Sequence, residues 1–103
     1  MQTFHTFKTI HGFQHYLRTR HGACEIAGKY GGCIDYVKVG GIVYQMEEYD
    51  MGGQYLEFVN LKHQKRIQVE TADRYKLGYE DAKAWEFPLT HWRNDISYHP
   101  AVV

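Results

Sequence analysis

Short apolar runs separated by glycine-bearing turns dominate the chain between Cys33 and Glu70. Gly40 and Gly41 divide the run Cys33–Val39 from the run Ile42–Tyr49, and glycine adopts the positive φ angles of a tight hairpin without steric cost. In the second run, successive side chains fall on opposite faces with a period of two, which is typical of a half-buried strand. This part of the sequence therefore predicts a β-hairpin.

Two further runs continue the same pattern. After a turn over residues 50–53, Gln54–Leu61 is rich in aromatic and β-branched residues. After a polar connection, Arg66–Glu70 alternates, with Ile67 and Val69 on one face. We therefore predict an antiparallel meander of four strands over about residues 33–70, and a short strand within residues 2–10 at its edge as a possible fifth.

The spacing of apolar residues changes near the N-terminus. Helical spacing is seen at Ile10, Phe13 and Leu17. Thr9 is suited to cap the start of a helix and Gly22 to close its end. We predict a helix over about residues 10–21.

A second helical pattern follows the meander. Helical spacing recurs at Tyr75, Tyr79, Ala82 and Trp85. Residues 71–73 offer N-cap side chains, and Pro88 would end the helix. We predict a helix over about residues 72–86, followed by a tail, 88–103, that is apolar enough to pack on the domain.

Together these elements predict one small α+β domain over residues 1–103. We expect a four- to five-stranded antiparallel meander sheet, with one helix before it and one after it packed on the same face. The open face of the sheet would carry tyrosine and charged residues. A chain of 103 residues is long enough to bury a single core without disulfides.

Charge and composition narrow the function. The 12 basic and 12 acidic residues give a formal net charge of zero, which argues against a general electrostatic attraction to nucleic acid or anionic lipid. The charges are unevenly distributed, since residues 41–60 carry four acids and no lysine or arginine, whereas residues 61–76 carry five bases and two acids. No run approaches the roughly 20 apolar residues that span a bilayer. We expect no membrane contact, a cytoplasmic location and free thiols at Cys24 and Cys33.

Candidate metal and thiol chemistry is weakly supported. The ligand types for a zinc site are present at His15, His21, Cys24 and Cys33, with His11 one turn before His15. The two cysteines are nine positions apart, unlike the close pairs of structural zinc sites. No phosphate-binding loop of the GxxxxGK[ST] type is present. We predict no metal, no cofactor and no enzymatic activity; a metal- or thiol-dependent enzyme is the third hypothesis.

The basic residues support the alternative function. Contacts to nucleic acid or another anion would come from Arg18, Arg20, Lys62, Lys65 and Arg66. The turn over residues 62–66 lies beside a tyrosine-bearing sheet, an arrangement that suits single-stranded nucleic acid. A nucleic-acid-binding accessory protein is therefore the second hypothesis.

The leading hypothesis is a protein-interaction module, because tyrosine and tryptophan are abundant and charge is segregated along the chain. Such a module would act by covering a partner's surface, as inhibitors and accessory proteins of phages and other mobile elements do. Its predicted contact residues are Trp92, Tyr98, Glu47, Glu48, Asp50 and Tyr55. The same features also suit a homodimer. The sequence identifies no particular partner.

Overall fold

The structure, a computed structural model, describes residues 5–28, 36–49, 55–72 and 78–88. Its elements are β1 (His5–Phe7), α1 (Ile10–Leu17), α2 (Gly22–Ala27), β2 (Tyr36–Val39), β3 (Ile42–Tyr49), β4 (Tyr55–Asn60), β5 (Lys65–Glu70) and β6 (Lys83–Pro88). The strands form one sheet in the order β1-β2-β3-β4-β5-β6, curled into a half-barrel. Strand β1 pairs with β2 in parallel, and every other pairing is antiparallel.

The predicted fold class is wrong. The sheet is mixed rather than antiparallel and has six strands rather than four or five. Both described helices come before β2, so no pair of helices brackets the meander. The four central strands nevertheless lie close to the runs that the alternation marked, because period-two patterning and turn glycines are local signals. Gly40 and Gly41 have φ angles of 59° and 83° in the β2–β3 hairpin, as predicted.

The predicted helix over residues 10–21 is too long: α1 ends at Leu17, and a second helix, α2, which was not predicted, begins at Gly22. Thr9 caps α1 as expected, since its hydroxyl accepts the Gly12 N–H at 3.0 Å. Arg18 ends α1, and Gly22 begins α2 instead of closing the first helix. A Cβ on residue 22 would lie 2.0 Å from the Tyr16 carbonyl oxygen, so glycine allows the chain to turn back on itself there.

The predicted helix over residues 72–86 is also wrong. Its last part is the strand β6, which pairs along its whole length with β5. Residues 73–77 lie outside the described part of the chain. Gly78 and Tyr79 have φ angles of 76° and 43°, values that interrupt a right-handed helix. The helical spacing of the apolar residues was therefore coincidental at Tyr79, Ala82 and Trp85.

The core lies on the concave face of the half-barrel. Phe13 and Leu17 of α1 are fully buried against it, as are Ala23 and Ile26 of α2. The sheet contributes Val37, Val39, Tyr44, Leu56, Phe58, Ile67 and Val69. Phe13 meets Phe58 edge to face, with 5.7 Å between ring centroids, a geometry that aromatic pairs favour.

Helix α1 also covers part of the exposed edge of β6. The Gln14 side-chain oxygen accepts the Ala84 N–H at 2.9 Å, and Arg18 Nε donates to the Ala82 carbonyl at 2.8 Å. A Cβ on Gly78 would lie 1.7 Å from the Thr19 carbonyl oxygen, so the backbones of the two connections touch. These contacts close the end of the half-barrel that contains residues 14–22 and 78–84, the α1 end.

The convex face differs from the expected open, charged surface. Glu57 and Val59 are fully buried there, and Arg66 is 8% exposed. Arg66 donates to Glu57 at 2.8 Å and lies 5.3 Å from the centre of the Phe87 ring. Burying a charged pair is costly unless the partners bond closely, which this geometry provides.

Of the described helices, α1 with eight residues and α2 with six, neither has the length to cross a membrane.

Candidate binding surfaces on strand β6

Two concave surfaces include residues of β6, one at the C-terminal end of the strand and one on its convex face. Register places Ala84 opposite Val69 and Glu86 opposite Ile67, so both side chains belong to the concave face. Lys83, Trp85 and Phe87 alternate with them and belong to the convex face. The strand therefore contributes to the interior of the half-barrel and to its outer surface.

The first surface is a cavity of about 450 Å³ at the end of the half-barrel opposite the α1 end. We call it the mouth cavity, and it is lined by His63, Gln64, Lys65, Glu86, Phe87 and Pro88. Its polar side chains come from the β4–β5 turn and from β5 and β6. The lining thus combines an imidazole, an ammonium, an amide and a carboxylate.

Tyr44 holds the carboxylate of the mouth cavity. The Tyr44 side chain is fully buried, and its hydroxyl donates to Glu86 Oε2. Burial, and then the hydrogen bond to the Glu86 carboxylate, raises the pKa of Tyr44 far above its ordinary value. The phenol therefore stays protonated and fixes one oxygen of an otherwise exposed carboxylate.

Asn60 holds the turn that bears His63. Asn60 is 5% exposed, and its amide nitrogen donates to the Val43 carbonyl at 2.7 Å. Its amide oxygen accepts the backbone N–H of His63 at 2.7 Å and lies 3.3 Å from His63 Nδ1. A buried amide with partners on both sides is a strong restraint, so the β4–β5 turn is fixed to β3.

Lys65 and Glu86 line the mouth cavity together without pairing. They lie on neighbouring strands and share the concave face, since Lys65 stands opposite Pro88 in the register. In the described part of the chain, the ion pairs within 4.0 Å involve neither residue. Opposite charges therefore face one cavity with space between them.

The second surface is a cleft of about 330 Å³ on the convex side. We call it the Trp85 cleft, and it is lined by Glu70, Thr71, Ala72, Asp81, Lys83 and Trp85. Trp85 is 40% exposed. Asp81 accepts the Thr71 hydroxyl and, at 2.6 Å, the Ala72 N–H, which joins the chain before β6 to the chain after β5. Two carboxylates and one ammonium surround an exposed indole.

None of the predicted partner-contact residues is located on these two surfaces by the described part of the structure. Trp92, Tyr98 and Asp50 lie outside the described residues, as do the side chains of Glu48 and Tyr55. Glu47 is half-buried on β3 and lines neither cavity. The role of this set stays a prediction.

The predicted basic residues do not form one surface. Arg18 bonds the Ala82 carbonyl at the α1 end, and Arg20 is exposed nearby in the chain. Lys62 is exposed on the β4–β5 turn and Lys65 lines the mouth cavity, at the other end of the half-barrel. Arg66 is buried against Glu57.

The predicted weak metal-ligand candidates also differ in their exposure to solvent. His11, His15 and His21 are exposed, whereas Cys24 is a buried free thiol. Cys33 lies outside the described residues. Across residues 5–28, 36–49, 55–72 and 78–88, no group of three or more histidine, cysteine, aspartate or glutamate side chains is placed to hold a metal ion.

Sequence reasoning missed Tyr44, Trp85 and Glu86 as site residues. The alternation of Lys83, Trp85 and Phe87 with Ala84 and Glu86 was the available signal for β6. It was hidden because the inward positions are a small residue and a charged one rather than large apolar residues.

Comparison with protein-family models, with curated proteins and with solved structures gives no match.

Proposed function

We propose that this protein is a protein-interaction module that binds its partner at the Trp85 cleft. The observation that carries the proposal is the 40% exposure of Trp85 in the middle of a strand, beside a concave surface. Scattered exposed apolar residues are common, but tryptophan next to a cleft is a frequent energetic anchor of protein interfaces.

The chemistry of the cleft favours a cationic side chain of the partner. Glu70 and Asp81 line the cleft with Trp85, and an arginine or lysine placed over the indole would contact both π face and carboxylates. Lys83 offsets part of this negative charge, so a partner that also brings an acceptor for Lys83 fits better than an isolated cation. The occupant we propose is a basic segment of another protein.

The edge of β6 is poorly suited to adding a partner strand. Gln14 and Arg18 already bond the Ala84 N–H and the Ala82 carbonyl. Pro88 has no N–H to donate. Because the Ala84 N–H points away from β5, the Glu86 N–H, two residues on, does so too, and it is the remaining outward N–H donor of β6 without a partner among the described residues. We therefore propose that the partner is bound by side chains on the convex face rather than by an added strand. Binding there would cover the partner's surface.

The nucleic-acid alternative has less support. Phosphate contacts need several cations on one surface, and here Arg66 is buried in an ion pair while Arg18 and Lys65 lie at opposite ends of the half-barrel. A homodimer through the same cleft would require an arginine or lysine of the second copy to enter it.

The test is capture from the native host's lysate after nuclease treatment, with wild-type protein, Trp85→Ala and Lys62→Ala. Lys62 is exposed and lines neither cavity, so Lys62→Ala is the matched control. We expect a defined protein to be retained by wild type and by Lys62→Ala and lost by Trp85→Ala. The purified partner should then bind Trp85→Ala at least tenfold more weakly, and Glu70→Gln several-fold more weakly.

Two results would overturn the proposal. One is a partner that binds Trp85→Ala as tightly as wild type while circular dichroism shows the variant folded. The other is recovery of nucleic acid alone, with binding that falls steeply as salt rises.

A further inference from the structure

We propose that the mouth cavity is a binding site for a small organic zwitterion, with an ammonium group at Glu86 and an acidic group, carboxylate or phosphate, at Lys65 and His63. This site is separate from the Trp85 cleft, shares no lining residue with it and does not depend on the proposed protein partner.

The charges of the cavity select the ligand class. A simple anion attracted to Lys65 would also face the Glu86 carboxylate, and a simple cation attracted to Glu86 would face the Lys65 ammonium. Each ligand of one sign is therefore opposed by one wall of the cavity. A molecule that carries both signs is attracted by both walls.

The carboxylate that would accept hydrogen bonds from the ligand ammonium is held in place before the ligand binds. A carboxylate has about four lone-pair positions, and the Tyr44 hydroxyl occupies one on Oε2 of Glu86. Because Glu86 is exposed, its other positions are accessible to a ligand ammonium. The buried Tyr44 ring keeps the carboxylate oriented, which lowers the entropic cost of binding.

The groups that would bind the acidic part of the ligand, His63 and Lys65, are also held by the fold. Asn60 binds the backbone of His63 and anchors the turn to β3, so the imidazole and Lys65, two residues later, are presented from a rigid support. Among the described residues, Lys65 has no carboxylate within 4.0 Å, and its ammonium is available to a ligand.

The size of the cavity agrees with this class. A volume of about 450 Å³ lies within the range of small-molecule sites, roughly 300–1,000 Å³. Phe87 and Pro88 complete the lining and limit it to a compact ligand.

The experiment is titration of the full chain, labelled with ¹⁵N, with four probes. Phosphoethanolamine and β-alanine carry a positive ammonium group and a negative acidic group, which is phosphate in the first and carboxylate in the second. Inorganic phosphate is negative only, and ethanolamine is positive only. We expect a zwitterion to shift the amide signals of residues 63–65 and 86–87, and to bind at least tenfold more tightly than either single-charge probe. Which zwitterion binds more tightly identifies the acidic group.

Variants make the test specific. Glu86→Gln and Lys65→Gln should each weaken the zwitterion at least tenfold, whereas Lys62→Gln, on the same turn but outside the cavity lining, should bind as wild type does. Trp85→Ala should also bind normally, which separates this proposal from that of the Trp85 cleft. Tyr44→Phe should weaken binding less than Glu86→Gln, because the carboxylate remains but is less firmly held.

The proposal is overturned by any of three outcomes. The first is no zwitterion binding at about 10 mM ligand, well above a millimolar Kd. The second is binding of phosphate or ethanolamine alone with the same affinity. The third is zwitterion binding that Glu86→Gln and Lys65→Gln leave unchanged.

Discussion

The two ends of the half-barrel use polar groups in opposite ways. At the α1 end, Gln14 bonds the backbone of β6 and Arg18 bonds the backbone just before it, and two glycines allow backbones to touch. At the mouth end, Lys65, Glu86 and His63 surround open space. Polar side chains therefore complete the fold at one end and remain available to a ligand at the other, so substitutions at the two ends should separate stability from binding.

The largest effect should come from Gly78→Ala at the α1 end. The new Cβ would lie 1.7 Å from the Thr19 carbonyl oxygen, and φ is +76°. We expect the free energy of unfolding, measured with urea, to fall by roughly 3 kcal/mol or more. Gly41→Ala is the control, because φ is +83° there but no heavy atom lies within 4 Å of the new Cβ. It should cost only about 1 kcal/mol, and equal losses for the two variants would refute the close contact.

Gln14→Leu should have the next largest effect. It removes the acceptor of the Ala84 N–H while keeping the size of the side chain, and a stranded, part-buried donor costs about 2 kcal/mol. The same helix offers a control in His11→Leu, which alters an exposed residue and should change stability by less than about 0.5 kcal/mol. Urea unfolding of both variants checks this, and a loss no greater in Gln14→Leu would show that α1 does not protect the β6 edge. Zwitterion binding at the mouth cavity should be unaffected in both.

Tyr44→Phe should have a smaller effect on stability at neutral pH, about 1 kcal/mol, since the ring remains and one hydrogen bond is lost. Its effect should depend on pH. The raised pKa of Tyr44 means that, above about pH 10, an unfolded tyrosine loses its proton while the folded one retains it. The stabilising contribution is complete below pH 10 and is lost as pH rises above it. Wild-type stability should therefore decline in alkali, and Tyr44→Phe should decline less steeply.

Tyr16 provides the matched comparison at the helices. Its hydroxyl donates to Glu25, and burial, with the Glu25 carboxylate, raises the pKa of Tyr16 to about 12. Tyr16→Phe should also reduce the alkaline decline between pH 10 and 12, but by less than Tyr44→Phe, because Tyr16 is only half-buried. Thermal unfolding from pH 7 to 12 covers this range, and a larger change for Tyr16→Phe would contradict the greater burial of the Tyr44 phenol.

The smallest expected effect has the opposite sign. Gly12 lies inside α1, and a Cβ there would meet only the Thr9 Oγ1 atom, at 3.5 Å, an ordinary contact. Gly12→Ala should raise the free energy of unfolding by about 0.5 kcal/mol because alanine favours the helix. A decrease in the free energy of unfolding would show that there is less space around Gly12 than this contact indicates.

What the sequence revealed about this fold was local. Gly40 and Gly41, Thr9 and the alternation from Ile42 onward depend on neighbouring residues, and the structure contains the elements that they predict. Strand β6 was mistaken for a helix because the groups that hold it are distant in sequence: Gln14 of α1 accepts the Ala84 N–H, and the Tyr44 hydroxyl donates to the Glu86 carboxylate.

The candidate surfaces were harder still to foresee. Lys65 was predicted as a contact residue together with Lys62 and Arg66, but nothing local showed that Lys65 shares a cavity with Glu86 while Arg66 is buried against Glu57. These distinctions depend on which face each strand turns inward and on what packs there, and a single sequence does not contain that information in its spacing.

The parallel pairing of β1 with β2 has a consequence for the order of folding. Consecutive strands from β2 to β5 are joined by short connections. The chain between the paired residues His5 and Val37, in contrast, contains both helices. Closing this long loop costs more chain entropy than forming a hairpin, so we expect the meander to form first and β1 to dock last. The amide protons of β1 should then exchange with solvent at a lower opening free energy than those of β4. If β1 detaches before the rest unfolds, it becomes the segment through which two copies of this chain could exchange strands.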